Sequence, residues 1–437
     1  MATEPKVFRM IAKTLSGLED VLAAELKALG ARDVKTMVRS VEFHGDTRLL
    51  YEVNLRCRTA TRILKPIRGF RIWKAQDLYT QVCRIKWSRY LDPESTIAVD
   101  AVVNHSRDFT NSIFAAQRVK DALCDQVRHR TGQRPSVDLK DPDLRISLHI
   151  DGDHVTLGFD ASGDTLSKRG YRTEAGEAPL SEVLAAGILA LTGWDAASPL
   201  ADGMCGSGTF VIEAAIMARG MAPGLARERF GFMKWKDYDP ALFRAVREEA
   251  ARSARPDLPF EILGSDAAPE RIEQARANAR RAGVEGDIRF EVNAFADQQP
   301  PAPPGVLVIN PPYGERLKPS EPENSHAARR VRGSWDSKRD SRRLPESEKA
   351  ETQKNDKDSE SRLEELYASI GDTLKKRYAG YNAFVFTGAL QAAKRIGLRP
   401  SRRIPLFNGA IDCRLFKYEM YEGSRREPRP ENGGRDL

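Results

Sequence analysis

The sequence predicts an α/β protein in two parts: an N-terminal α+β module over 1–165, then a domain with a seven-stranded, mostly parallel sheet. Three observations support this division. The chain has 437 residues, enough for two or three domains. Residues 145–160 alternate polar and apolar side chains around an Asp-Gly turn, which is typical of a β-hairpin. From about residue 180, helical stretches alternate with short apolar strands, the pattern of a parallel sheet.

The elements of the N-terminal module follow from local patterns. The first helical stretch starts after Ser16-Gly17 and ends at Gly30, a residue suited to a helix C-cap. We expect strands at 7–14, 41–46 and 97–105, helices at 18–30 and 114–132, and a hairpin at 145–160.

In the second domain, helices and strands alternate except in one segment. We expect helices at 181–193, 210–220, 268–283, 363–378 and 389–397, and strands at 199–202, 260–266, 288–294, 305–312, 383–388, 403–408 and 412–422. Residues 318–361 are almost devoid of large apolar side chains, so they cannot offset the entropy of ordering. We therefore expect a disordered insertion at 318–361 and a disordered tail at 423–437.

Composition excludes several classes of protein. The chain has 70 Lys+Arg against 62 Asp+Glu, a net charge of +8, which favours a polyanionic partner without requiring one. No apolar run approaches the roughly 20 residues that span a bilayer. The five cysteines never form CxxC and the six histidines lack metal-site spacing, which argues against disulfides, zinc and metallohydrolase chemistry. A reducing cytoplasm fits this cysteine usage.

The sharpest local motif is the segment 202–209, DGMCGSGT, between a strand and a helix. Gly206 and Gly208 let the backbone turn tightly and approach a ligand, while the helix start offers free N–H groups. The segment lacks the Gly-Lys-Ser/Thr of a P-loop and the GxGxxG of dinucleotide sites. By itself it indicates either a nucleotide site or a tight turn.

A second signal is Asp266, at the end of the predicted strand 260–266. In α/β nucleotide sites an acid at this place binds ribose hydroxyls. The alternative is a helix cap, because Ala-Ala-Pro-Glu follows directly. The spacing from the glycine loop favours the cofactor role.

The third signal is 310–313, Asn-Pro-Pro-Tyr, directly after the apolar strand VLVI. Two prolines stiffen the backbone and fix where the Asn310 amide and the Pro311 carbonyl point. Such a pair of acceptors suits an exocyclic amine, and the ring of Tyr313 suits stacking on a flat base. An ordinary strand-ending turn is the alternative.

Taken together, these motifs resemble class I S-adenosylmethionine-dependent methyltransferases with the Asn-Pro-Pro-Tyr element. Residues 160–194 resemble the lead-in of the RlmL-like 23S rRNA guanine-N2 methyltransferases, and 114–160 are similar to their THUMP RNA-binding domain. Residues 401–419 match as well. The resemblance covers about 1–422 apart from 318–361.

The resemblance implies a domain plan and a Rossmann-like methyltransferase fold. It implies a ferredoxin-like unit at 1–50, a THUMP domain at 51–165 and a methyltransferase domain at 166–422. It also implies S-adenosylmethionine as cofactor, RNA as partner, no metal and no membrane, and we expect a monomer. Gly203 stands where many relatives have Pro, which leaves the logic of the loop intact.

Site residues carry over by position. The implied cofactor residues are Asp202, Cys205, Gly206, Ser207, Gly208, Thr209, Asp266 and, for adenine, Asn293. The implied catalytic residues are Asn310, Pro311, Pro312 and Tyr313. Cys205 is expected to contact the cofactor through its backbone rather than act as a nucleophile.

Basic residues supply candidate RNA contacts. Between 56 and 89 there are ten Lys/Arg against one acid, Asp77, and a second basic cluster lies at 394–403. The candidates for RNA phosphates are Arg56, Arg58, Arg62, Lys65, Arg68, Arg71, Lys74, Arg402 and Arg403. The nearby Trp73 and Trp87 are predicted to belong to the core.

The predicted reaction is methylation of a guanine N2 amine in 23S rRNA. The same chemistry on tRNA is the first alternative, and N6-methylation of adenine is the second, because the motif serves either amine. A non-catalytic RNA-binding assembly factor is the third, although the intact glycine loop, Asp266 and Asn310 argue against it.

Overall fold

A computed structural model describes residues 6–172, 180–314 and 346–421 of the chain, with side chains in its last long helix given from residue 359. These residues form two β-sheets, one of eight strands and one of seven, with helices packed on them. The expected tail at 423–437 lies outside the described residues, as do residues 315–345 of the expected insertion.

The first sheet belongs to the N-terminal half of the chain. Its strands are β1 Phe8–Lys13, β2 Arg32–Met37, β3 Ser40–Gly45, β4 Arg62–Arg71, β5 Thr96–Asn104, β6 Ser136–Val137, β7 Leu144–Asp151 and β8 His154–Asp160. Its helices are α1 Glu19–Ala28, α2 Thr47–Arg56, α3 Ala75–Cys83 and α4 Ser112–Thr131. The strand order is β2-β3-β1-β4-β8-β7-β5-β6.

Strand β4 joins the two expected N-terminal units. It pairs antiparallel with β1 on one side and with β8 on the other. The units predicted at 1–50 and 51–165 therefore share one continuous sheet, and their exact boundary stays a prediction. The predicted hairpin at 145–160 is confirmed as β7 and β8, with Asp151 opposite His154.

The second sheet forms the C-terminal half. Its strands are β9 Leu200–Asp202, β10 Ile262–Asp266, β11 Ile288–Val292, β12 Gly305–Ile309, β13 Tyr381–Thr387, β14 Arg402–Asn408 and β15 Ile411–Glu419. Its helices are α5 Glu182–Thr192, α6 Thr209–Ala218, α7 Pro240–Arg252, α8 Pro269–Ala282 and α9 Glu346–Arg377.

The strand order of this sheet is β11-β10-β9-β12-β13-β15-β14. All neighbours are parallel except β15, which runs antiparallel to both β13 and β14. Successive strands β9, β10 and β11 step to one side, and β12 and β13 step to the other. The sheet therefore has a topological switch point between β9 and β12, where open α/β sheets bind ligands at the carboxyl ends of their strands.

Side-chain caps define several of the helix starts. The Asp46 carboxylate accepts a hydrogen bond from the Leu49 N–H at 2.9 Å, and Ser181 accepts one from Leu184 at 3.2 Å. Asp239 accepts from Leu242 at 3.0 Å just before a proline opens α7. These contacts satisfy N–H groups that a helix start otherwise leaves unpaired.

Three differences from the sequence-based prediction have local causes. Helix α2 was missed because its cap, Asp46, reads as the end of a strand. Helix α9 begins at Glu346, so it includes the last part of the expected insertion at 318–361. The helix predicted at 389–397 is only a short 3-10 turn, Ala392–Ile396, because Gly397 ends it in the left-handed region with φ of 66°.

A buried polar network connects the two halves of the molecule. The Glu25 carboxylate on α1 accepts hydrogen bonds from the backbone of Arg58 and from the hydroxyl of Thr59. The Arg58 guanidinium donates to the Met221 carbonyl at 2.8 Å. Arg169 donates to the Arg58 carbonyl at 2.5 Å. Removing a charged side chain from this network is costly, because the groups that it contacts would stay buried without a partner.

Candidate functional site

A cavity of about 490 Å³ opens at the switch point of the seven-stranded sheet. Asp202 ends β9, Asp266 ends β10 and Asn310 follows β12, and all three line this cavity. Three residues that are far apart in the sequence thus meet at one sheet edge, because parallel strands bring their carboxyl ends together.

The glycine loop forms one wall of the cavity. Gly206 has φ of 52°, and a Cβ built there would have no neighbouring atom within 4 Å, so the loop leaves open space beside it. At Gly208, with φ of 84°, a Cβ would lie 3.0 Å from the Cβ of Ala275 on α8. Gly206 therefore permits close approach of a ligand, and Gly208 permits close packing of helices.

Loop residues 205–209 are held by contacts on the side away from the cavity. The Cys205 N–H donates to the Ser265 carbonyl at 2.9 Å, and Asn278 donates to the Ser207 carbonyl at 3.0 Å. Thr209, the first residue of α6, accepts a hydrogen bond from Arg172. These contacts fix the loop without a ligand.

Asp202 presents a fully buried carboxyl to this loop. Its Oδ1 accepts a hydrogen bond from the Met204 N–H at 3.1 Å. Burial raises the pKa of Asp202 well above its ordinary value, and the neighbouring Asp266 raises it further. A cationic ligand group beside Asp202 would favour its ionised form, as the ammonium of an amino-acid moiety would.

Asp266 combines the two roles that the sequence left open. Its Oδ2 accepts from the Gly206 N–H at 3.0 Å, and its Oδ1 accepts from the Ala268 N–H at 3.1 Å at the start of α8. The carboxylate therefore ties the glycine loop to the helix while it also lines the cavity.

The far wall differs from the expectation for Asn293. The cavity is lined by Ala294, Phe295 and Ala296, whereas Asn293 is not among the lining residues and its N–H donates to the Asp266 carbonyl at 3.0 Å. The predicted adenine contact through Asn293 is therefore not supported by its position, and Phe295 occupies that side.

Phe295 also accounts for Gly203. A Cβ on Gly203 would lie 2.1 Å from a ring carbon of Phe295, so no larger residue fits while that ring is in place. The Phe295 ring stacks on Tyr378, the residue directly after α9, with centroids 5.6 Å apart. Sequence reasoning missed Phe295 because an aromatic after a strand carries no chemical signature of its own.

The motif after β12 has an internal hydrogen bond. The Tyr313 hydroxyl donates to the Asn310 Oδ1 at 2.5 Å, and the Tyr313 ring meets Phe386 edge-on at 6.5 Å. Asn310 and Pro312 line the cavity, while Pro311 is buried. In this conformation the amide oxygen predicted to hold an amine accepts a hydrogen bond from Tyr313.

A residue outside the motif supports it. Tyr367 on α9 is fully buried, and its hydroxyl donates to the Pro312 carbonyl at 3.3 Å and shares a 2.5 Å hydrogen bond with Thr387. Helix α9 also supplies Leu366, Ser369 and Ile370 to the cavity wall. No local pattern links residues so far along the chain, so sequence reasoning did not find them.

Cys205 lines the cavity but does not suit nucleophilic chemistry. It is buried, and burial raises the pKa of its thiol well above the ordinary value, with Asp202 and Asp266 adding to the effect. A thiol kept protonated is a poor nucleophile.

The first basic segment divides into structural and exposed residues. Arg58 is half-buried and its guanidinium donates to the Met221 carbonyl in the network between the two halves, so its position supports a structural role rather than the predicted RNA contact. Arg62 is paired with the buried Asp160 and with the Gly163 carbonyl. Lys65 lies 2.7 Å from Asp237, with 20% of its side chain exposed.

The remaining candidates lie on the surface. Arg56 is half-buried and donates to Ser253 at 3.3 Å, whereas the other candidates are exposed: Arg68, Arg71, Lys74, Arg402 and Arg403. Trp87 is buried as predicted, but the prediction for Trp73 is wrong because 72% of it is exposed. Ile72 takes the core position beside it, 3% exposed.

The cavity fits S-adenosylmethionine by the chemistry of its lining. It offers a buried carboxyl at Asp202, a second at Asp266, an open glycine loop and an aromatic wall at Phe295. Among the described residues, no cluster of three or more His, Cys, Asp or Glu side chains is arranged to hold a metal. None of the described helices is long and apolar enough to cross a membrane.

Comparison with known proteins agrees with this arrangement. A family model described as the RlmL ferredoxin-like domain matches residues 9–64, the THUMP domain matches 74–160, and the RMKL-like methyltransferase domain matches 169–326. The crystal structure of SMU.472, described as "a putative methyltransferase complexed with SAH", is 26% identical with a TM-score of 0.77, over 96% of this chain and 100% of that chain.

Two curated relatives cover most of the chain. A Synechocystis protein described as "Putative RNA methyltransferase" is 38% identical, over 96% of this chain and 98% of that protein. The ribosomal RNA large subunit methyltransferase K/L of Methylococcus capsulatus is 40% identical, over 92% of this chain and 50% of that protein. The chain thus spans about half the length of the K/L relatives.

The switch-point cavity, the glycine loop and the Asn-Pro-Pro-Tyr element define a class I methyltransferase that uses S-adenosylmethionine. The chain belongs to the RlmL-like family of THUMP-domain-containing RNA methyltransferases. This confirms the resemblance, the fold class and the cofactor predicted from the sequence. The roles of individual residues stay predictions.

Proposed function

We propose that this protein methylates the exocyclic N2 amine of a guanine in large-subunit (23S) ribosomal RNA. The observation that carries the proposal is the location of Asn310 and Pro312 in the wall of the cofactor cavity, directly after β12. The ribosomal RNA large subunit methyltransferases K/L among the relatives support the substrate class. A cytoplasmic monomer that acts without metal is part of the same proposal.

The chemistry rests on positioning. S-adenosylmethionine, when bound, supplies an electrophilic methyl group. A guanine amine is a poor nucleophile because its lone pair is delocalised into the ring. Hydrogen bonds from the amine to the Asn310 oxygen and the Pro311 carbonyl favour a more tetrahedral nitrogen and orient its lone pair. Orientation of this kind replaces the need for a strong general base.

Tyr313 and the proposed amine share one acceptor on Asn310. The Tyr313 hydroxyl donates to the same Oδ1 that the proposal assigns to the amine, and this oxygen has a second lone pair for the amine. The Tyr313 ring is assigned to stacking on the base. Tyr367 keeps hold of the Pro312 carbonyl, so the backbone of the motif stays in place.

Other functions differ in substrate rather than in the site. A tRNA guanine is the first alternative, and an adenine N6 amine is the second, because Asn310 would accept a hydrogen bond from either amine. A non-catalytic RNA-binding assembly factor is the third. The buried, ligand-facing carboxyl of Asp202 favours an active enzyme, because ionising a carboxyl there is costly without a cationic ligand.

Nucleoside mass spectrometry on RNA from a deletion strain tests the proposal. We expect N2-methylguanosine to disappear from one position of 23S rRNA and to return when the wild-type gene is supplied. The purified chain should then methylate deletion-strain rRNA and leave wild-type rRNA unmodified.

The alternatives give different results in the same experiment. Loss of N2-methylguanosine from tRNA alone, or of N6-methyladenosine instead, would replace the proposed substrate. Unchanged nucleosides together with retained S-adenosylmethionine binding in calorimetry would overturn the proposed reaction.

A further inference from the structure

A second cavity, of about 290 Å³, is lined by residues of the 3-10 turn Ala392–Ile396 and of the strands β14 and β15. It is separate from the cofactor cavity and shares no lining residue with it. We call it the basic pocket. Its lining combines apolar side chains with three cations, Lys394, Arg403 and Arg414.

Among the residues that the structure describes, the Arg403 guanidinium has no hydrogen-bond or ion-pair partner. Lys394 donates to Gln391 at 2.6 Å, and Arg414 is paired with Asp412. Arg403 makes no hydrogen bond or ion pair with any described residue, although it is on the strand next to that pair. A cation left without a partner at a cavity mouth is suited to an anion from outside.

The floor of the basic pocket is apolar and aromatic. Phe416 and Tyr418 on β15 line it together with Leu390, Leu398 and Pro400. Phe416 is 9% and Tyr418 3% exposed, so only a small part of each ring reaches the pocket. Apolar groups beside cations suit the base and the phosphate of a nucleotide.

The basic pocket is linked to the Asn-Pro-Pro-Tyr motif through adjacent strands. Arg414 lies opposite Thr387 in the β13–β15 register, and Thr387 shares a hydrogen bond with Tyr367, which donates to Pro312. The loop after β13 is common to both sites: a Cβ on Gly388 would lie 3.3 Å from Tyr313, and Leu390 lines the pocket. A chain bound at one site is therefore close to the other.

We propose that the basic pocket binds a nucleotide of the RNA that neighbours the methylated base, with its base against the apolar lining and its phosphate at Arg403. This inference rests on the proposed RNA substrate and adds a specificity subsite to it. Taking a target base out of its stack exposes its neighbours, and a pocket for one of them holds the RNA in register.

The test compares adjacent arginines of one strand. Arg402 and Arg403 are both exposed, but successive residues of a strand face opposite sides, and only Arg403 lines the pocket. Binding of the full chain to 23S rRNA from a deletion strain is measured by filter binding for the wild type, Arg403→Ala and Arg402→Ala. We expect Arg403→Ala to raise Kd about tenfold, and Arg402→Ala no more than about twofold.

A variant that removes no charge tests the cavity itself. Ala393→Leu adds a side chain to the pocket wall. We expect it to raise Kd several-fold without changing the salt dependence, because no phosphate contact is lost. Thermal melting is recorded for each variant, so that a folding defect is recognised. Should Ala393→Leu melt early, crosslinking of 4-thiouridine-substituted rRNA to the peptide around Phe416 takes its place.

The outcomes separate this inference from the proposed reaction. Equal effects of Arg402→Ala and Arg403→Ala would indicate general electrostatic attraction and overturn the pocket. Unchanged binding by a stable Ala393→Leu, or crosslinks that avoid 411–419, would also overturn it. Because binding is measured without methyl transfer, a pocket that passes these tests stands even if N2-methylguanosine proves to be the wrong product.

Discussion

The two sheets of this protein encode function in different ways. In the seven-stranded sheet, Asp202, Asp266 and Asn310 each follow a parallel strand, and the strand order brings them to one cavity. In the half of the chain with the eight-stranded sheet, the basic residues of a single stretch lie in different environments, from the half-buried Arg58 to the exposed Arg71. A short motif at a strand end therefore locates a site, whereas charge density along the chain does not locate a surface.

The two regions should also differ in how much a substitution changes the stability of the fold. A residue at the cavity edge can be replaced with little loss of stability, because it borders a ligand rather than a core. A basic residue in the first sheet can be part of the folding energy, as Arg58 is, or of RNA binding, as we expect for Arg71. Substitutions at the cavity should therefore change activity or cofactor binding, whereas substitutions in the first basic stretch should change stability or RNA affinity.

The largest effect on activity is expected for a substitution at the edge of the seven-stranded sheet, at Asn310. Asn310→Ala should lower kcat about 10²- to 10³-fold, by analogy with removal of one positioned hydrogen-bonding group. Cofactor affinity should stay within a few-fold, because the amide faces the amine rather than the cofactor. Methyl transfer to deletion-strain rRNA and calorimetry with S-adenosylhomocysteine measure the two quantities.

Tyr313→Phe is the matched control for Asn310→Ala. It removes the hydroxyl that donates to the Asn310 oxygen and keeps the aromatic ring. We expect turnover to be retained and KM for RNA to be unchanged or lower. Full activity of Asn310→Ala would remove Asn310 from the reaction and would leave the motif as a strand-ending turn.

The second largest effect is expected in the N-terminal half of the chain, at Arg58. Arg58→Met should lower the free energy of unfolding by about 1 to 3 kcal/mol, because the Met221 carbonyl loses a charged hydrogen-bond donor and Glu25 loses a neighbouring positive charge. RNA affinity of the folded variant should remain near the wild-type value. Urea unfolding and filter binding below the melting temperature report these two properties. A loss of RNA affinity with normal stability would return Arg58 to the RNA surface.

A tenfold effect is expected at Asp202. Burial raises its pKa in the folded protein, so ionising it weakens the unliganded fold as pH rises, and a cationic ligand offsets that cost. S-adenosylmethionine affinity should therefore be lower at a pH below the raised pKa of Asp202 than at a higher pH. Asp202→Asn should lower affinity about tenfold at the higher pH, remove most of the pH dependence and stabilise the unliganded protein at that pH.

Calorimetry and melting at both pH values check this, with the exposed Asp257→Asn as control. If Asp202→Asn keeps the wild-type affinity and the same pH profile, the carboxyl does not hold the cofactor.

Much of the fold was predictable because its signals are local. The alternation of helices and apolar strands after residue 180 predicted the parallel sheet, and 202–209, Asp266 and Asn310 predicted where its cavity lies. Polar strand β2 was missed, since an exposed edge strand has no apolar alternation. Helix α7 was missed although Asp239-Pro240 is a helix-start signal.

The rest of the site depends on tertiary contacts that no sequence pattern carries. Phe295 takes the place expected for Asn293 because the ring packs between Gly203 and Tyr378. Tyr367 reaches the motif from a helix that begins beyond residue 345. The same reason explains the basic stretch, because the Arg58 guanidinium donates to the Met221 carbonyl and Lys65 pairs with Asp237, both of which come from distant parts of the chain.

The smallest effect is expected for two exposed cations, Arg71 at the end of β4 and Lys74 in the loop that follows. Arg71 has 59% of its side chain exposed and its ion pair with Asp153 is long, at 3.9 Å, and Lys74 is exposed three residues on, beside the exposed Trp73. Each phosphate contact with single-stranded RNA contributes about 0.7 to the slope of log affinity against log salt. We expect the double variant Arg71→Ala with Lys74→Ala to reduce that slope by about 1.4, with a loss of affinity of a few-fold at moderate salt.

Lys65→Ala is the control for this double variant, because it removes a cation from the same strand that is already paired with Asp237 at 2.7 Å. Its salt slope should equal that of the wild type. Counterions are released only when an RNA phosphate contacts a cation of the protein. Because Lys65 is already paired with Asp237, its removal should not change the number of counterions released. Equal slopes for all three proteins would mean that the exposed residues 71–74 do not touch RNA. A reduced slope for Lys65→Ala would mean that RNA displaces Asp237, and that the first sheet's ion pairs are part of its binding surface after all.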